Sequence, residues 1–405
     1  MKSIGDDNLK SVVIVDSVRL AIGKLGGTLG NEAVDFLGAK VIEALIARTG
    51  LDKDQIEEVI MGQAKQSADV SNMARVSALR AGIPVEVPAY TVHRQCGSGV
   101  QAVNSAAQQI QAGISDIIIA GGAESMSTAP YYVNHVRFGV KAGDTLLKDP
   151  NTASQPGSQP REVYGDLIMG VTAENIAEKY RISREEQDEF SLRSQENARN
   201  AIARGYFEQE IVPYEIKSRK GSIDFKVDEH PRETTLDKLS SLKPVFKEGG
   251  TVTAGNSSGR NDGAAALLVM SEEESRKRGY QPKARIIAQA AAGCSPEIMG
   301  MGPVHATLKA LKQTSLTIDD LDVIELNEAF AAQALGCIKE LGLDLNKVNP
   351  NGGAIAMGHP IGATGAILFT KLAHELERTG KKYGLVTLCI AGGLGISTII
   401  ENVQV

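Results

Sequence analysis

The chain has 405 residues, a formal net charge of −6 and 42% apolar residues. Its length predicts two or three domains. Its composition, which includes 42 glycines, is typical of a compact α/β enzyme rather than of a disordered or fibrous protein. The acidic balance argues against nucleic acid as a partner. No apolar run approaches the ~18 residues that span a bilayer, which argues against a membrane protein.

The termini and the cysteines indicate a cytoplasmic protein. The N-terminal sequence MKSIGDDNLK lacks the apolar core of a signal peptide, and ENVQV at the other end carries no peroxisomal signal. Cysteine occurs only at positions 96, 294, 337 and 389, without a CxxC pair. This spacing predicts neither a metal site nor a disulfide framework, so we expect a reducing compartment.

Hydrophobic periodicity predicts alternating strands and helices in the first part of the chain. We expect helices at 34–49, 72–82 and 98–113, and strands at 12–18, 57–62, 89–95, 116–122 and 263–271. The helix at 98–113 places on one face Val100, Val103, Ala107 and Ile110. GGAESMS (121–127) is interpreted as a tight turn after a strand rather than as a phosphate-binding loop.

The same order recurs in the rest of the chain. We expect helices at 302–314, 329–342 and 363–380, and strands at 283–290, 321–327, 383–390 and 394–403, with a short extended piece near VNPNGG. Both parts follow a β-α-β-α-β-α-β-β pattern. The sequence therefore predicts an α/β protein of two duplicated halves, each a mostly parallel sheet covered by helices.

An insertion of different composition interrupts the first half. It contains PNTASQPGSQP, rich in loop-forming residues, and then a helix that opens with a capping box, Ser183 to Glu186. The insertion is interpreted either as a solvated surface segment or as a wall over a ligand site. We expect a first half at 1–122 plus 251–280, an inserted loop domain at 123–250 and a second half at 281–405.

The carboxyl ends of the predicted strands indicate where the candidate site lies, because ligands in open α/β sheets bind beyond these ends. Cys96 follows the third strand of the first half. His359 follows the matching strand of the second half, so the two loops occupy equivalent places. Asn327 and Glu328 end another strand, and Cys389 ends the next. We expect these side chains to lie close together.

Cys96 taken alone has two interpretations. One is a small buried side chain. The other is a nucleophile whose thiolate is stabilised by the N-terminus of the following helix, with Gly97 and Gly99 allowing close approach. Cys294 and Cys337 are interpreted as structural.

Several motifs occur together in one order, and they resemble those of the thiolase family: CGSGVQAV, GGAESMS, MGVTAEN, TAGNSSGRNDGAAA, NEAFAAQA, NGGAIAMGHPIGATGA and CIAGGLG. The resemblance covers about residues 11 to 402. It implies the layered thiolase fold, α-β-α-β-α, and a reversible Claisen condensation of two acyl-CoA thioesters. It also implies coenzyme A thioesters as substrates, without a prosthetic group or metal.

The resemblance implies a role for each candidate residue. Cys96 is the nucleophile that becomes acylated, His359 activates it, and Cys389 is the acid and base at the acetyl α-carbon. Asn327 holds a water that joins His359 in one oxyanion hole, and the backbone N–H groups of Cys96 and Ala391 form the other. Thiolases usually have glycine in place of Ala391, whose Cβ restricts φ.

For CoA, the resemblance implies a second set of residues. Ser258 contacts the pantetheine arm, Phe246 packs nearby, and Arg232 lies near the nucleotide. The pantetheine tunnel is lined by Met169, Ala329 and Phe330. The segment 127–147 resembles the one through which thiolase dimers pair, so the expected assembly is a homotetramer.

The expected activity is that of an acetyl-CoA C-acetyltransferase, and the alternative is a degradative 3-ketoacyl-CoA thiolase of fatty-acid β-oxidation. Ile168 replaces a histidine of short-chain members, whereas Met299 matches their pattern, so chain length stays open. Three other hypotheses fit the sequence less well. A ketosynthase-type enzyme would lack the second catalytic cysteine, which this chain has at Cys389, and a Cys–His hydrolase would not need that cysteine. A non-catalytic CoA- or lipid-binding relative would lack at least one of the four catalytic residues, all of which are present here.

Overall fold

Strands and helices alternate along residues 9–218 and 221–405, which the computed structural model describes. The strands are β1 (Val12–Arg19), β2 (Gly23–Lys24), β3 (Glu58–Gly62), β4 (Ala89–Val92), β5 (Ile117–Ser125), β6 (Tyr214–Ser218), β7 (Gly221–Phe225), β8 (Asn261–Ser271), β9 (Ala284–Gly293), β10 (Val323–Leu326), β11 (Tyr383–Ile390) and β12 (Leu394–Asn402). The helices are α1 (Val34–Thr49), α2 (Met73–Arg80), α3 (Ser98–Gln111), α4 (Pro150–Ala153), α5 (Arg161–Tyr164), α6 (Met169–Tyr180), α7 (Arg184–Ala203), α8 (Leu236–Ser240), α9 (Glu272–Lys277), α10 (Gly302–Leu311), α11 (Ala331–Leu341), α12 (Ala354–Met357) and α13 (Thr364–Thr379). The predicted α/β class is confirmed.

A mixed sheet runs through both halves in the order β10-β11-β12-β9-β1-β8-β5-β3-β4, with β2 beside β8. The β3–β4, β3–β5 and β10–β11 pairs are parallel. The β1–β8, β5–β8, β9–β12 and β11–β12 pairs are antiparallel, so the prediction of mostly parallel sheets is wrong. A short turn such as the one between β11 and β12 can join only antiparallel strands, and β8 re-enters the sheet between β1 and β5 after the long insertion.

The two halves face each other across a central layer of helices. α3 packs against β5 and β8 of the first half and against β12 of the second. α13 packs against β11 of the second half and β8 of the first, while α1 and α10 cover the outer faces. The expected α-β-α-β-α layering is therefore present. Because α13 lies between two sheets, it is buried on all sides from Thr364 to Leu376.

Glycines let the two central helices begin in direct backbone contact. An added Cβ at Gly99 would lie 2.7 Å from the backbone nitrogen of Ala366. One at Gly365 would lie 2.3 Å from the backbone nitrogen of Val100. A side chain at either position would push α3 and α13 apart. The contact places the loop that precedes α3 beside the loop that precedes α13.

Two local predictions are wrong. GGAESMS (121–127) does not form a turn after a strand, because Gly121–Ser125 pairs with β8 and extends β5 past the expected start of the insertion. The strand predicted at 89–95 ends at Val92, and the chain then turns toward α3.

Two helices, α6 and α7, form most of the middle part of the insertion between β5 and β8. The predicted capping box at the start of α7 is confirmed. The Ser183 hydroxyl accepts the Glu186 N–H at 3.1 Å, and the Glu186 carboxylate accepts the Ser183 N–H at 2.6 Å. These bonds satisfy backbone donors that the first turn of a helix leaves free.

Replacement of Gly365 by alanine tests the contact between α3 and α13. We expect Gly365→Ala to lower the free energy of unfolding by about 1–3 kcal/mol, because overpacking outweighs the better helix propensity of alanine. Urea unfolding of both proteins measures the difference. Gly157→Ala is the control, since an added Cβ there meets no atom within 4 Å, and it should leave the stability near that of the parent. A Gly365→Ala protein as stable as the parent would contradict the proposed crowding.

Candidate active site

Four predicted residues from both halves line one cavity of about 200 Å³: Cys96, His359, Cys389 and Ala391. Cys96 lies between β4 and α3, and His359 lies between α12 and α13. Cys389 is the residue before the last in β11, and Ala391 begins the turn to β12. Both interpretations of Cys96 thus contain a correct element, since the thiol is half-buried and still faces a cavity.

The backbone around Cys96 forms a tight turn that presents the thiol. Gln95 has a φ of 46°, a conformation that is uncommon for residues other than glycine and is often found at functional sites. The N–H of Gly97 donates to the carbonyl oxygen of Arg94 at 2.9 Å, and the N–H of Ser98 donates to that of Gln95 at 3.1 Å. A Cβ at position 97 would lie 2.4 Å from Cδ1 of Ile390. Glycine therefore lets the turn lie against the end of β11.

The two thiols share an environment that opposes ionisation. Burial raises the pKa of the Cys96 thiol, although the Ala391 N–H, Lys65 and the Cys96 N–H act in the opposite direction. Burial, together with the neighbouring Cys96, raises the pKa of Cys389 well above its usual value. The expected stabilisation of a Cys96 thiolate by the start of α3 is outweighed by burial. Both thiols are therefore protonated at neutral pH in the unliganded protein.

Hydrogen bonds fix the orientation and the tautomer of His359. Its backbone N–H donates to Oδ1 of Asn261 at 2.9 Å, and its Nδ1 lies 2.7 Å from Oγ1 of Thr364. The Thr364 hydroxyl donates its single proton to the carbonyl oxygen of Pro360 at 3.0 Å, so it must accept from an Nδ1–H group. Burial lowers the pKa of His359 to about 4. The neutral ring thus has a free Nε2 lone pair, which makes Nε2 a base.

Asn327 lies outside the wall of the main cavity. Its backbone N–H donates to the carbonyl oxygen of Thr387 at 3.0 Å. Both polar atoms of its carboxamide are buried and have no hydrogen-bond partner among residues 9–218 and 221–405. They border a small cavity of about 10 Å³ that Pro360 and Thr364 also line, a volume that suits one water molecule. The carboxamide is therefore available to hold a water beside the His359 loop.

Five of the six residues expected to bind CoA line the same cavity as the thiols: Met169, Phe246, Ser258, Ala329 and Phe330. The rings of Phe246 and Phe330 meet edge to face, with centroids 6.1 Å apart. Arg232 is exposed, and its backbone N–H donates to Oε1 of Gln195 at 2.9 Å. It does not line the cavity, so any contact that Arg232 makes with a ligand lies outside it.

Sequence reasoning missed a group of polar residues on the cavity wall: Lys65, Asn151, Ser154, Gln155, Ser158 and Arg260. Lys65 could have been predicted, because it follows β3 at the same sheet edge as Cys96. The rule that ligands bind beyond the carboxyl ends of the strands applies to it equally. The 150–158 segment lines the cavity, in line with the interpretation of the insertion as a wall over a ligand site, but its Pro- and Ser-rich composition did not indicate which side chains face the site.

The tautomer and charge of His359 are accessible to measurement. We expect ¹⁵N NMR of histidine-labelled protein to show a neutral ring with its proton on Nδ1 at every pH from 7.5 down to 5.5, because burial depresses the pKa to about 4. The His359→Gln variant assigns the signal. In Thr364→Val, which lacks the hydroxyl acceptor, the Nδ1–H preference should weaken. Titration of the wild-type ring near pH 6.5 would show that the imidazole is not desolvated.

Two family models match almost the whole chain. They are the thiolase N-terminal domain, at residues 12–273, and the thiolase C-terminal domain, at residues 280–402. An acetyl-CoA acetyltransferase of Chromobacterium violaceum is 50% identical over 96% of this chain and 99% of its own. The beta-ketothiolase BktB of Cupriavidus necator is 48% identical over 97% of this chain and 100% of its own.

Solved structures give the same result. The acetyl-CoA acetyltransferase of Bacillus anthracis superimposes with a TM-score of 0.95 and 45% identity, over 98% of this chain and 100% of that one. Human mitochondrial 3-ketoacyl-CoA thiolase in complex with CoA gives a TM-score of 0.93 and 43% identity, over 98% of both chains. With both family models matched and full-length relatives at this identity, the chain belongs to the thiolase family.

Proposed function

We propose that the chain is an acetyl-CoA C-acetyltransferase. It condenses two molecules of acetyl-CoA reversibly into acetoacetyl-CoA and CoA through an acyl-cysteine intermediate. The observation that carries the proposal is the meeting of two thiols and an unprotonated imidazole nitrogen in one cavity. A single acyl transfer needs only one nucleophile and one base, so a second thiol supports a reaction that also moves a carbon-bound proton. The names of the relatives support the same activity.

The first half-reaction acylates Cys96. Nε2 of His359 takes the thiol proton, and the sulfur attacks the thioester carbonyl carbon of acetyl-CoA. The bond from that carbon to the CoA sulfur then breaks, and Cys389 donates its proton to the leaving sulfur. The products are acetyl-Cys96, free CoA and a Cys389 thiolate. Burial raises the pKa of Cys389, and a thiolate of high pKa is a strong base.

The second half-reaction uses that base. The Cys389 thiolate removes an α-proton from a second acetyl-CoA, and the carbanion attacks the carbonyl carbon of acetyl-Cys96. A carbon–carbon bond forms, the Cys96 sulfur leaves and regains its proton from His359. Backbone N–H groups of Cys96 and Ala391 stabilise one oxyanion, and His359 with a water held by Asn327 stabilises the other. The effect of the Ala391 N–H on the Cys96 thiol supports the first of these holes.

CoA thioesters are the proposed ligands, with no prosthetic group. The apolar wall with Met169, Ala329, Phe330 and Phe246 suits the pantetheine arm, and the Ser258 side chain offers it a hydrogen bond. Arg232, exposed and outside the cavity, would meet the nucleotide end, which is anionic.

A degradative 3-ketoacyl-CoA thiolase is the alternative, and one observation favours it. A matching structure at 43% identity is a human mitochondrial enzyme of that name. The two activities share every chemical step and differ in acyl length and direction, so thiolysis kinetics across 3-ketoacyl-CoA lengths would separate them. Either activity would place the protein in fatty acid metabolism.

The cellular setting and the assembly are also proposals. All four cysteines are free, which supports the reducing cytoplasm, and within the described ranges no helix has the length and apolarity needed to cross a membrane. The 127–147 segment exposes large apolar side chains, with Phe138 at 98% exposure. Such a patch supports a protein interface and the expected homotetramer. We propose the expected division into a first half, 1–122 plus 251–280, an inserted domain, 123–250, and a second half, 281–405, with the start of the insertion moved to residue 126 because β5 extends to Ser125.

Separate replacement of the two thiols tests the proposal. Cys96→Ala should abolish the covalent acetyl adduct formed with acetyl-CoA, which intact-protein mass spectrometry detects. Cys389→Ala should form the adduct more slowly, because the leaving CoA sulfur loses its proton donor, and should lose the exchange of acetyl α-protons with deuterium by about 10²–10⁴-fold, the usual contribution of a positioned acid–base group. The conservative control is Cys337→Ala, which removes a buried thiol outside the cavity. An adduct that persists in Cys96→Ala would refute the assignment of the nucleophile.

Ala391 provides a finer test of the oxyanion hole. Its φ does not lie in the left-handed region, unlike that of the following residues, Gly392 at 88° and Gly393 at 82°. Alanine is therefore unstrained there, and its N–H points to the same place that a glycine N–H would. We expect Ala391→Gly to keep kcat for acetoacetyl-CoA thiolysis within about threefold of the parent, since a lost donor would cost 10²–10³-fold. A large loss would mean that the second hole is built from other groups.

A further inference from the structure

One wall of the cavity is polar and has no part in the chemistry proposed above. Lys65 and Arg260 face the cavity together with four polar side chains of the segment that includes α4: Asn151, Ser154, Gln155 and Ser158. A pocket for a plain alkyl chain needs apolar walls, because each buried polar group then loses its contact with water without gaining a partner. The four side chains of the segment already have partners in the protein, whereas Lys65 uses only two of its three N–H donors, so the wall can offer a ligand a charged donor.

Lys65 is the key residue of this polar wall. It is 8% exposed. Its Nζ donates to the carbonyl oxygen of Pro150 at 3.2 Å and to Oγ of Ser154 at 2.5 Å. Among residues 9–218 and 221–405, no carboxylate oxygen lies within the 4.0 Å of Nζ that defines an ion pair. Buried lysines are almost always paired with an anion, so an anion from outside the protein would complete this site.

The neighbouring carboxylates are held by other groups. Glu124 accepts the backbone N–H groups of Ala64 at 2.9 Å, Lys65 at 3.0 Å and Gly362 at 2.8 Å. Asp149 lies 3.6 Å from the guanidinium of Arg260. Burial lowers the pKa of Lys65, and Glu124 and Asp149 only oppose that effect from a distance. Lys65 is therefore a buried cation without a carboxylate in direct contact, and its charge is available to an anion in the cavity.

The position of Lys65 fits the far end of an acyl group carried on Cys96. Each of the two residues affects the pKa of the other, yet no hydrogen bond joins the ammonium to the sulfur. Nζ is instead anchored on the 150–154 segment. An acyl chain on the sulfur that ends in an anionic group a few bonds away would bring that group to the ammonium. The CoA side of the cavity, with Phe246 and Phe330, remains free for the second substrate.

We propose that the preferred 3-oxoacyl-CoA substrate carries a terminal carboxylate on its acyl chain, and that Lys65 binds this carboxylate. The inference rests on the thiolase chemistry shared by both activities proposed above, and it replaces acetoacetyl-CoA with a carboxylate-terminated 3-oxoacyl-CoA as the preferred substrate. In the thiolysis direction, the Cys96 sulfur gives its proton to Nε2 of His359 and bonds to C3, and the bond between C2 and C3 breaks. The carboxylate-bearing acyl group stays on Cys96, and C2 takes a proton from Cys389 to give acetyl-CoA. The Cys389 thiolate then takes the proton of the incoming CoA, whose sulfur attacks the acyl-cysteine. The Cys96 sulfur leaves and regains its proton from His359, and the shortened acyl-CoA is released with its carboxylate.

Two substrates of equal length test the proposal: the six-carbon 3-oxoacyl-CoA with a terminal carboxylate and the six-carbon 3-oxoacyl-CoA with a terminal methyl group. We expect the wild type to show at least a tenfold higher kcat/KM for the carboxylate. Lys65→Met should lower the ratio of the two kcat/KM values by about tenfold or more, mainly through KM for the carboxylate, because a hydrogen bond to a charged group is lost. Lys65→Arg keeps the charge and should restore most of the ratio. Lys312→Met, which removes an exposed lysine, should leave the ratio as in the wild type.

The outcomes separate this inference from the function on which it rests. If the wild type cleaves neither substrate nor acetoacetyl-CoA, the thiolase function itself fails. If it cleaves the methyl-terminated substrate at least as well as the carboxylate, the function stands and the substrate class is wrong. If Lys65→Met lowers kcat/KM equally for both substrates, Lys65 supports Cys96 or the 150–158 segment and does not bind a carboxylate.

Discussion

The active site depends on the backbone contact between the starts of α3 and α13. Gly99 and Gly365 carry no Cβ, so the two helices approach until the main chain of one lies on that of the other. Each helix follows a loop with a reactive side chain, Cys96 in one half and His359 in the other. Because of this close contact, the loops at the sheet edges of the two halves lie side by side and line one cavity. The turn that carries Cys389 and Ala391 closes the same cavity from the end of β11.

Burial sets the electrostatic properties of this cavity more than any single charge does. It raises the pKa of both thiols and lowers that of His359 to about 4, so all three groups are neutral before substrate binds. Neutral groups cost less to enclose than an ion pair. In the proposed mechanism, charge arises only when the proton of Cys96 moves to Nε2 of His359, as the negative charge develops on the thioester oxygen beside the oxyanion donors. The Thr364 hydroxyl keeps the receiving nitrogen free.

Local patterns in the sequence predicted the order of the elements and much of the site, because periodicity and the rule on strand ends depend on near neighbours in the chain. Cys96, His359 and Cys389 were found in this way. The antiparallel position of β8 between β1 and β5 was not predicted, because strand pairing after a long insertion is decided by contacts between residues far apart in the sequence. The raised pKa of Cys96 comes from burial in the folded protein, where Ile390 and Ile396 lie against the adjoining Gly97. Lys65 was overlooked because its significance comes from the 150–158 segment, whose groups bind its ammonium. Arg232, outside the cavity, was named only by resemblance.

The division of the site between the two halves has a consequence for synthesis of the chain. Cys96 leaves the ribosome well before β11 and β12, and domains generally begin to fold from the N-terminus. Until the last strands arrive, Ile390 and Ile396 do not cover Gly97, and the thiol lacks the enclosure that raises its pKa. We therefore expect the Cys96 thiol to be more exposed, and so more readily oxidised, in the nascent first half than in the finished protein. On this view, completion of the C-terminal hairpin is also the step that encloses the proposed nucleophile.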